Sequence, residues 1–431
     1  MVGQGTLGGA LVSQAVLDEG VMENFKPGEE GQLWYGDVPL APIMFQDDLA
    51  DCVESINDAR STNEKVKKLT NERGLKLNKD KSVYLIYGSK KQKTKANVEL
   101  NKNPLMCGRI QTKEVEMEKW LGQIFSSKGL AQSVEETVAA REGKIRGAAL
   151  EIAAIVNDWR ASVVGGMETA LLLWESCCLT SLLHGAGTWT EISPKTEQRL
   201  NSLQFWFARL IFQVGPGAPS ASLNWDLGLL DLGLLVWREK VMLVLHLRSL
   251  ESSLGNKMFK MQESRGWPGL ALETMNICQE LNIEDCRKTR KSKKAYRKIV
   301  TEACHIENEK RLRKMAENKE KCDKIMTEAY GKKMYIKNKC IKEVREMYRT
   351  RVRMQPFAGN YSHDKRFSKS NFLCRCGVSR EKESHITSGK CPVYEDLRIK
   401  YDNLDSDENL VKFFLEVLER RDDFDFEFNE W

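Results

Sequence analysis

The sequence has no uninterrupted apolar run long enough to cross a bilayer. Its most apolar stretches, around Met167 to Leu183 and Leu227 to Leu250, are broken by Glu168, Glu175, Asp231, Arg238, Glu239 and Lys240. They read as core helices, and no membrane role is expected of them. A dense, evenly spaced cysteine framework is also missing, because the 12 cysteines are scattered. That pattern excludes a disulfide-stapled secreted scaffold. No basic-then-apolar segment opens the chain, so a reducing, intracellular compartment is expected. Histidine is scarce, with 5 in 431 residues. His184 and His246 fall in apolar helical stretches as core residues, and no nucleophile and base stand in register for hydrolysis.

What is present is charge, unevenly placed. The net charge of +6 says little by itself. From Arg287 to Arg353, however, 24 Lys and Arg stand against 9 Asp and Glu, whereas the tail from Tyr401 to Trp431 is acidic. Such a surplus exceeds what ion pairing within helices uses and points to a polyanionic partner, although a solvated, charged helix pair has the same composition. Tyr296, Tyr330, Tyr335 and Tyr348 in this region stack on bases or anchor the helices; the sequence leaves both open.

The length calls for roughly two or three domains. Periodicity predicts a helix over Thr6 to Phe25 behind a glycine-rich start, a short strand over Leu33 to Tyr35 and a turn over Gly36 to Pro39. The run from Pro42 to Ala50 then reads as strand, tight turn and strand, with Asp47 and Asp48 at its tip. An adjacent acidic pair is costly in a buried hairpin unless a hard cation offsets it, and unremarkable in a solvated turn. Beyond it, Cys52, Ile56, Ala59, Val66 and Leu69 recur at helical spacing up to Gly74, and a hairpin is expected across Leu75 to Tyr87. A Ser133-x-x-Glu136 capping box opens a helix over Ser133 to Val156 carrying Val134, Val138, Ile145, Ala149 and Ile152. Met167 to Leu183, Leu200 to Phe212 and Leu223 to Leu250 are further helices, interrupted at Gly215-Pro216-Gly217-Ala218-Pro219.

Near the end, Cys374, Cys376, His385 and Cys391 form the frame Cys-x-Cys-x8-His-x5-Cys. Three thiolates and an imidazole make a closed tetrahedral set for a structural zinc, with no position left for an activated water. The other reading is four unligated residues in a loop. Leu410, Phe413, Phe414, Val417 and Leu418 then mark one face of a closing helix.

In their order, Gly3-Gln4-Gly5, Asp47-Asp48, Leu77-Asn78-Lys79-Asp80-Lys81-Ser82 and Trp120-Leu121-Gly122 resemble the later palm motifs of reverse transcriptases from non-LTR (LINE-type) retrotransposons. The resemblance continues through Gly215 to Leu232 and the Cys-Cys-His-Cys knuckle, whose first pair is usually spaced by two residues and here by one. It implies an α+β partial polymerase palm (1–128), a mainly α-helical thumb (129–270), a basic helical region (271–358), a small zinc-knuckle-like segment (359–400) and an acidic helix and tail (401–431). It further implies that Gln4 and Gly5 contact template and nucleotide, Asp47 binds magnesium with Asp48 assisting, Lys81 lies near the nucleotide phosphates, and Trp120, Leu121 and Gly122 grip the primer. The implied partners are an RNA template, including the element's own RNA, and a DNA primer, in nucleus and cytoplasm.

One departure is decisive for activity. Successive strand side chains point to opposite faces, so Asp47 and Asp48 cannot both serve the same metal pair, and the family supplies another aspartate from a neighbouring strand. The fingers and that strand would precede Met1. Asp37 and Asp51 are the nearest internal substitutes. The expected chain is therefore a polymerase fragment inactive alone, or a nucleic-acid-binding protein derived from one.

Overall fold

The structure, a computed structural model, describes residues 33–40, 42–45, 48–158, 164–190, 192–317, 319, 322, 326–355, 357 and 373–420. The helix expected over Thr6 to Phe25, Gln4, Gly5, Asp47 and the end of the acidic tail lie outside these residues. About 61% of the described residues are helical, and among them strands pair only two by two, so helices must carry most of the core. Two compact units alternate along the sequence. Met1–Ala139, Gly185–Thr196 and Val236–Val300 make the first, and Ala140–His184, Glu197–Leu235 and Thr301–Trp431 the second.

The first unit begins with two short hairpins. β1 (Trp34–Tyr35) and β2 (Val38–Pro39) pair antiparallel across Gly36, whose φ of 63° suits glycine. Val38 and Pro39, expected within a turn, are thus a strand. β3 (Ile43–Phe45) and β4 (Asp48–Ala50) pair with Phe45 opposite Asp48, in the hairpin that alternation predicts. In α1 (Ile56–Glu72) the Ser55 hydroxyl accepts from the Asp58 N–H at 3.2 Å as N-cap, and Gly74 at φ 64° lets the chain leave the helix. Val66 and Leu69 of α1 pack with Cys107, Leu49 and Leu77. Arg60 donates to the Asn103 and Pro104 carbonyls at 2.6 and 3.1 Å, which fixes the returning chain against α1.

The hairpin expected across Leu75 to Tyr87 does not form. A turn does close at Asn78, where the Ser82 N–H donates to its carbonyl at 3.1 Å, but β5 (Val83–Tyr84) turns to a distant partner. After α2 (Lys90–Lys102) and the hairpin of β6 (Met106–Cys107) and β7 (Ile110–Gln111), β5 pairs in parallel with β8 (Lys113–Glu114). Parallel strands need a crossover, and α2, which the apolar pattern did not mark, provides it.

β9 (Met117–Trp120) and β10 (Gln123–Ser126) form the next hairpin. α3 (Leu130–Asp158) follows and contributes residues to both units. Val134, Val138, Ile145, Ala149 and Ile152 are all buried, as their spacing predicts. The capping box does not form, because α3 starts at Leu130 and leaves Ser133 inside the helix. The Ser133 hydroxyl instead donates to the Gly129 carbonyl and accepts from the Ser126 N–H, both at 2.9 Å. Glu136 accepts from Gln132 at 2.7 Å. A residue chosen for capping thereby ties α3 to β10.

The second unit is built from helices. α4 (Gly166–Leu173) runs through a π-helical turn (Trp174–Leu179) into α5 (Thr180–Leu182), and the buried Trp174 stacks on Phe207 at 4.2 Å between ring centroids. Phe207 lies on α6 (Pro194–Phe212). The stretch from Leu223 to Leu250 is two helices, α7 (Ser220–Leu227) in the second unit and α8 (Leu232–Ser249), which belongs to the first unit from Val236 onward, parted at Gly228 with φ 66°. α9 (Leu254–Arg265) and α10 (Leu270–Glu280) belong to the first unit, α11 (Lys293–Ala316) to both, and α12 (Met334–Asn338) and α13 (Ile341–Arg351) to the second.

Charged groups lock the second unit. Glu142 accepts from Arg199 at 2.6 Å and from Arg146 at 2.8 Å. Partial burial raises the pKa of its carboxyl, but the two guanidiniums outweigh that and hold it below the usual carboxylate range. Glu328, bonded to Arg351 and Lys333, is depressed for the same reason. Since both folded pKa values lie below the unfolded ones, their stabilisation is present above the unfolded carboxylate pKa near 4.5 and is lost as pH falls through the folded values. The expected result is a melting temperature that drops below about pH 4.5, with a shallower drop in Glu142→Gln. An unchanged acid limb in the variant would refute the assignment.

Candidate metal centre

Four side chains from one short region converge at the end of the second unit. Leu373 and Arg380 form an isolated bridge, and the Cys374 N–H donates to the Ser379 carbonyl at 2.9 Å, closing a loop in which Gly377 takes φ 72°. This tight turn lets Cys374 and Cys376, only two positions apart, face the same point. His385 comes from α14 (Glu383–Thr387). Cys391 follows Gly389, at φ 78°, and opens a 3-10 turn (Pro392–Tyr394).

The donor atoms all lie within 4.8 Å of one another. Cys374 Sγ is 3.5 Å from Cys391 Sγ, and Cys376 Sγ is 3.2 Å from His385 Nε2. Bonds of about 2.3 Å to sulfur at tetrahedral angles place sulfur ligands about 3.8 Å apart, so this is the size of a four-coordinate site and far from the roughly 2.05 Å of a disulfide. All 12 cysteines are free thiols. The cluster can hold a metal such as zinc. Desolvation pushes the Cys376 thiol up, yet the Val378 N–H and the His385 imidazole outweigh it and bring it down to about 6, whereas burial pushes the neighbouring Cys374 thiol up to about 12.

The surroundings hold the four ligands in place. Cys374, Ile386 and Cys391 pack in one core with Phe357, Tyr394, Leu397 of α15 (Glu395–Lys400), and Phe413, Phe414 and Val417 of α16 (Asp407–Glu419). The apolar face expected of the closing helix is the floor of the centre. Arg398 donates to the carbonyls of Ile386 and Cys391 at 2.8 and 2.5 Å, bracing the backbone beside two ligands. Glu383 accepts from the Gln355 N–H at 2.8 Å. Neither Arg398 nor Glu383 stands out in the sequence, because their roles arise from contacts made by the folded loop.

Other expected site residues are placed separately. Asp48 is exposed at the start of β4, and Asp47 is outside the described residues. Asp37 is exposed in the β1–β2 turn with Arg265 at 3.5 Å. Asp51 accepts from the Thr62 hydroxyl at 2.8 Å and from the Cys52 N–H at 2.9 Å. It thus serves the start of α1, and burial pushes its carboxyl up. Among the described residues, the Cys-Cys-His-Cys set alone gathers three or more His, Cys, Asp or Glu into metal-binding range. Lys81 is exposed in the turn closed by Asn78. Trp120, Leu121 and Gly122 sit together where β9 turns into β10. Leu121 and Gly122 have φ of 48° and 79°, the left-handed pair of a tight hairpin turn. Leucine resists that conformation, so the turn is strained at an exposed apolar tip.

The four tyrosines anchor the fold. Tyr296 and Tyr348 are fully buried. The Tyr296 hydroxyl donates to the Glu284 carbonyl, Tyr348 meets Ser222 at 2.7 Å, Tyr335 donates to Asp226 at 2.7 Å, and Tyr330 accepts from Asn308 at 2.8 Å. The basic region is also partly spent inside. Arg345, Arg349 and Arg351 are buried, the first two donating to the carbonyls of Ile211 and Gln213.

No protein-family model matches the chain, and no curated protein matches it either. No helix among the described residues is long and apolar enough to cross a membrane.

Proposed function

We propose that the chain is the late-palm, thumb and zinc-knuckle part of an RNA-directed DNA polymerase of the non-LTR retrotransposon type, and that it does not polymerise alone. The observation that carries this reading is the arrangement, in one chain and in that family's order, of an acidic hairpin, a Trp-Leu-Gly hairpin turn and a zinc-sized Cys-Cys-His-Cys cluster. The zinc is structural, because four protein ligands leave no open position for water.

Polymerisation requires an in-line displacement clamped by two magnesium ions. The described residues do not supply that pair: among them Asp48 belongs to no group of three or more metal-binding side chains, and Asp37 and Asp51 have other partners. No catalytic step is therefore assigned to them. A second reading, a non-enzymatic nucleic-acid-binding protein derived from a retroelement, is favoured by Asp51, the nearest substitute carboxylate, which in this structure accepts from Thr62 and the Cys52 N–H and joins no cluster of metal-binding side chains among the described residues.

The test is primer extension on an RNA template with magnesium, beside binding of the same primer-template. Salt-sensitive binding without extension is the expected outcome. Extension that disappears in Asp47→Ala would overturn the inactivity, and absence of any binding would overturn both readings.

A further inference from the structure

The largest basic surplus in the sequence is not the only one. From Lys76 to Lys113, ten Lys and Arg stand against Asp80 and Glu99. The structure places half of the ten on α2. The inner side of that helix is engaged by the fold, with Leu100 buried and Lys93 donating to the Ser127 carbonyl at 2.6 Å. Lys90, Lys91, Lys95 and Lys102 are exposed, and among the described residues none of the four is ion-paired.

This arrangement works against the helix itself. Lys91 and Lys95 repel at i,i+4, and Lys90 and Lys91 occupy a first turn that has no acidic residue, at the end where the helix dipole is already positive. The Ser89–Gln92 capping box holds the helix together despite these charges. A polyanion laid along the exposed face removes both penalties.

We propose that the exposed lysine face of α2 is a contact surface for the phosphodiester backbone of a nucleic acid, separate from the hairpin tips and the metal centre. The proposal rests on the nucleic-acid reading above and adds a surface to it. A protein partner would call for an apolar centre, and this face offers one exposed apolar residue, Val98. Insertion into a lipid surface needs a free apolar side, and that side of α2 is turned inward. Lysines on flexible stems track a regular row of phosphates without reading sequence.

The test uses the full chain and a fluorescent RNA–DNA primer-template. Lys90, Lys91, Lys95 and Lys102 are changed together to Gln, and a control changes Lys144, Lys257, Lys260 and Lys412, four exposed lysines outside both basic stretches, to Gln. With about 0.7 to 0.9 counterions released per phosphate contact, loss of four contacts in the α2 variant is expected to flatten the slope of log affinity against log salt by roughly 3 to 4 and to weaken low-salt binding at least about tenfold. The control should change neither by as much. Equal effects in both variants, or an α2 variant with the parent slope, would refute the α2 surface while parent binding left the broader reading standing. If poly-glutamate or anionic vesicles displaced the duplex from α2 at lower charge concentration than competing duplex does, the nucleic-acid assignment of this face would fail. A parent chain that bound no nucleic acid would sink both.

Discussion

Cys391→Ser is expected to remove the zinc from the purified chain, taking metal content from one equivalent to near none, and to loosen residues 374–391 in hydrogen exchange. Cys391 is one of the four candidate donors and is fully buried in the core shared with Phe413 and Phe414. A structural zinc contributes on the order of 10 kcal/mol of apparent binding free energy at neutral pH, and in a small loop that energy is folding energy. Loss of one of four donors opens the site to water and leaves a hydroxyl where a thiolate was required. Chelation of the unmodified chain should produce the same loosening, reversed by zinc. Amide protection in α11 should survive both treatments, since its core residues Val300, Cys304 and Leu312 belong elsewhere. A parent chain without metal whose four donors react freely with thiol reagents would remove the metal centre from the account.

The other large effect is expected from Arg351→Ala, a loss of about 3 to 5 kcal/mol of unfolding free energy in denaturant titration. Arg351 donates to Asp226 at 3.1 and 3.3 Å and to Glu328 at 2.6 Å. Asp226 is wholly buried, so burial pushes its carboxyl up while Arg351 opposes the shift and keeps the ion pair satisfied. Truncating the arginine leaves a buried carboxylate with only Tyr335 and the more distant Lys333. Replacing both partners by neutral residues of similar size, Asp226→Asn with Arg351→Met, should recover much of the loss, because no uncompensated charge remains. A single variant that loses less than about 1 kcal/mol would place the pair among weak, water-exposed contacts.

Arg351 also marks where sequence reading stops. It sits in the most basic part of the chain, where composition is compatible with a polyanionic partner and equally with a solvated, charged helix pair. Folding uses Arg345, Arg349 and Arg351 to satisfy buried carbonyls and carboxylates from segments more than 100 residues away. A residue's charge is local, whereas its partner depends on tertiary packing. The exposed lysines of α2 are illegible in the sequence for the converse reason: a short, mostly polar helix has no strong apolar period, and it lies in the crossover that the parallel pairing of β5 with β8 requires.

By itself the sequence determined the features that rest on neighbours a few residues apart. These were the Asp48 hairpin, the buried Val66 and Leu69 of α1 though not the exposed Cys52 before it, the 3.6-residue stripes of α3 and α16, the break at Gly215 to Pro219, and the Cys-x-Cys-x8-His-x5-Cys frame. Only the tertiary structure decided that Ser133 joins a helix to a hairpin, that Asp51 holds Thr62, that the four tyrosines anchor helices, and that the closing helix lies under the metal centre. Each of these depends on which distant groups meet once apolar faces are buried, because a buried polar atom must find a partner wherever the packed chain places one.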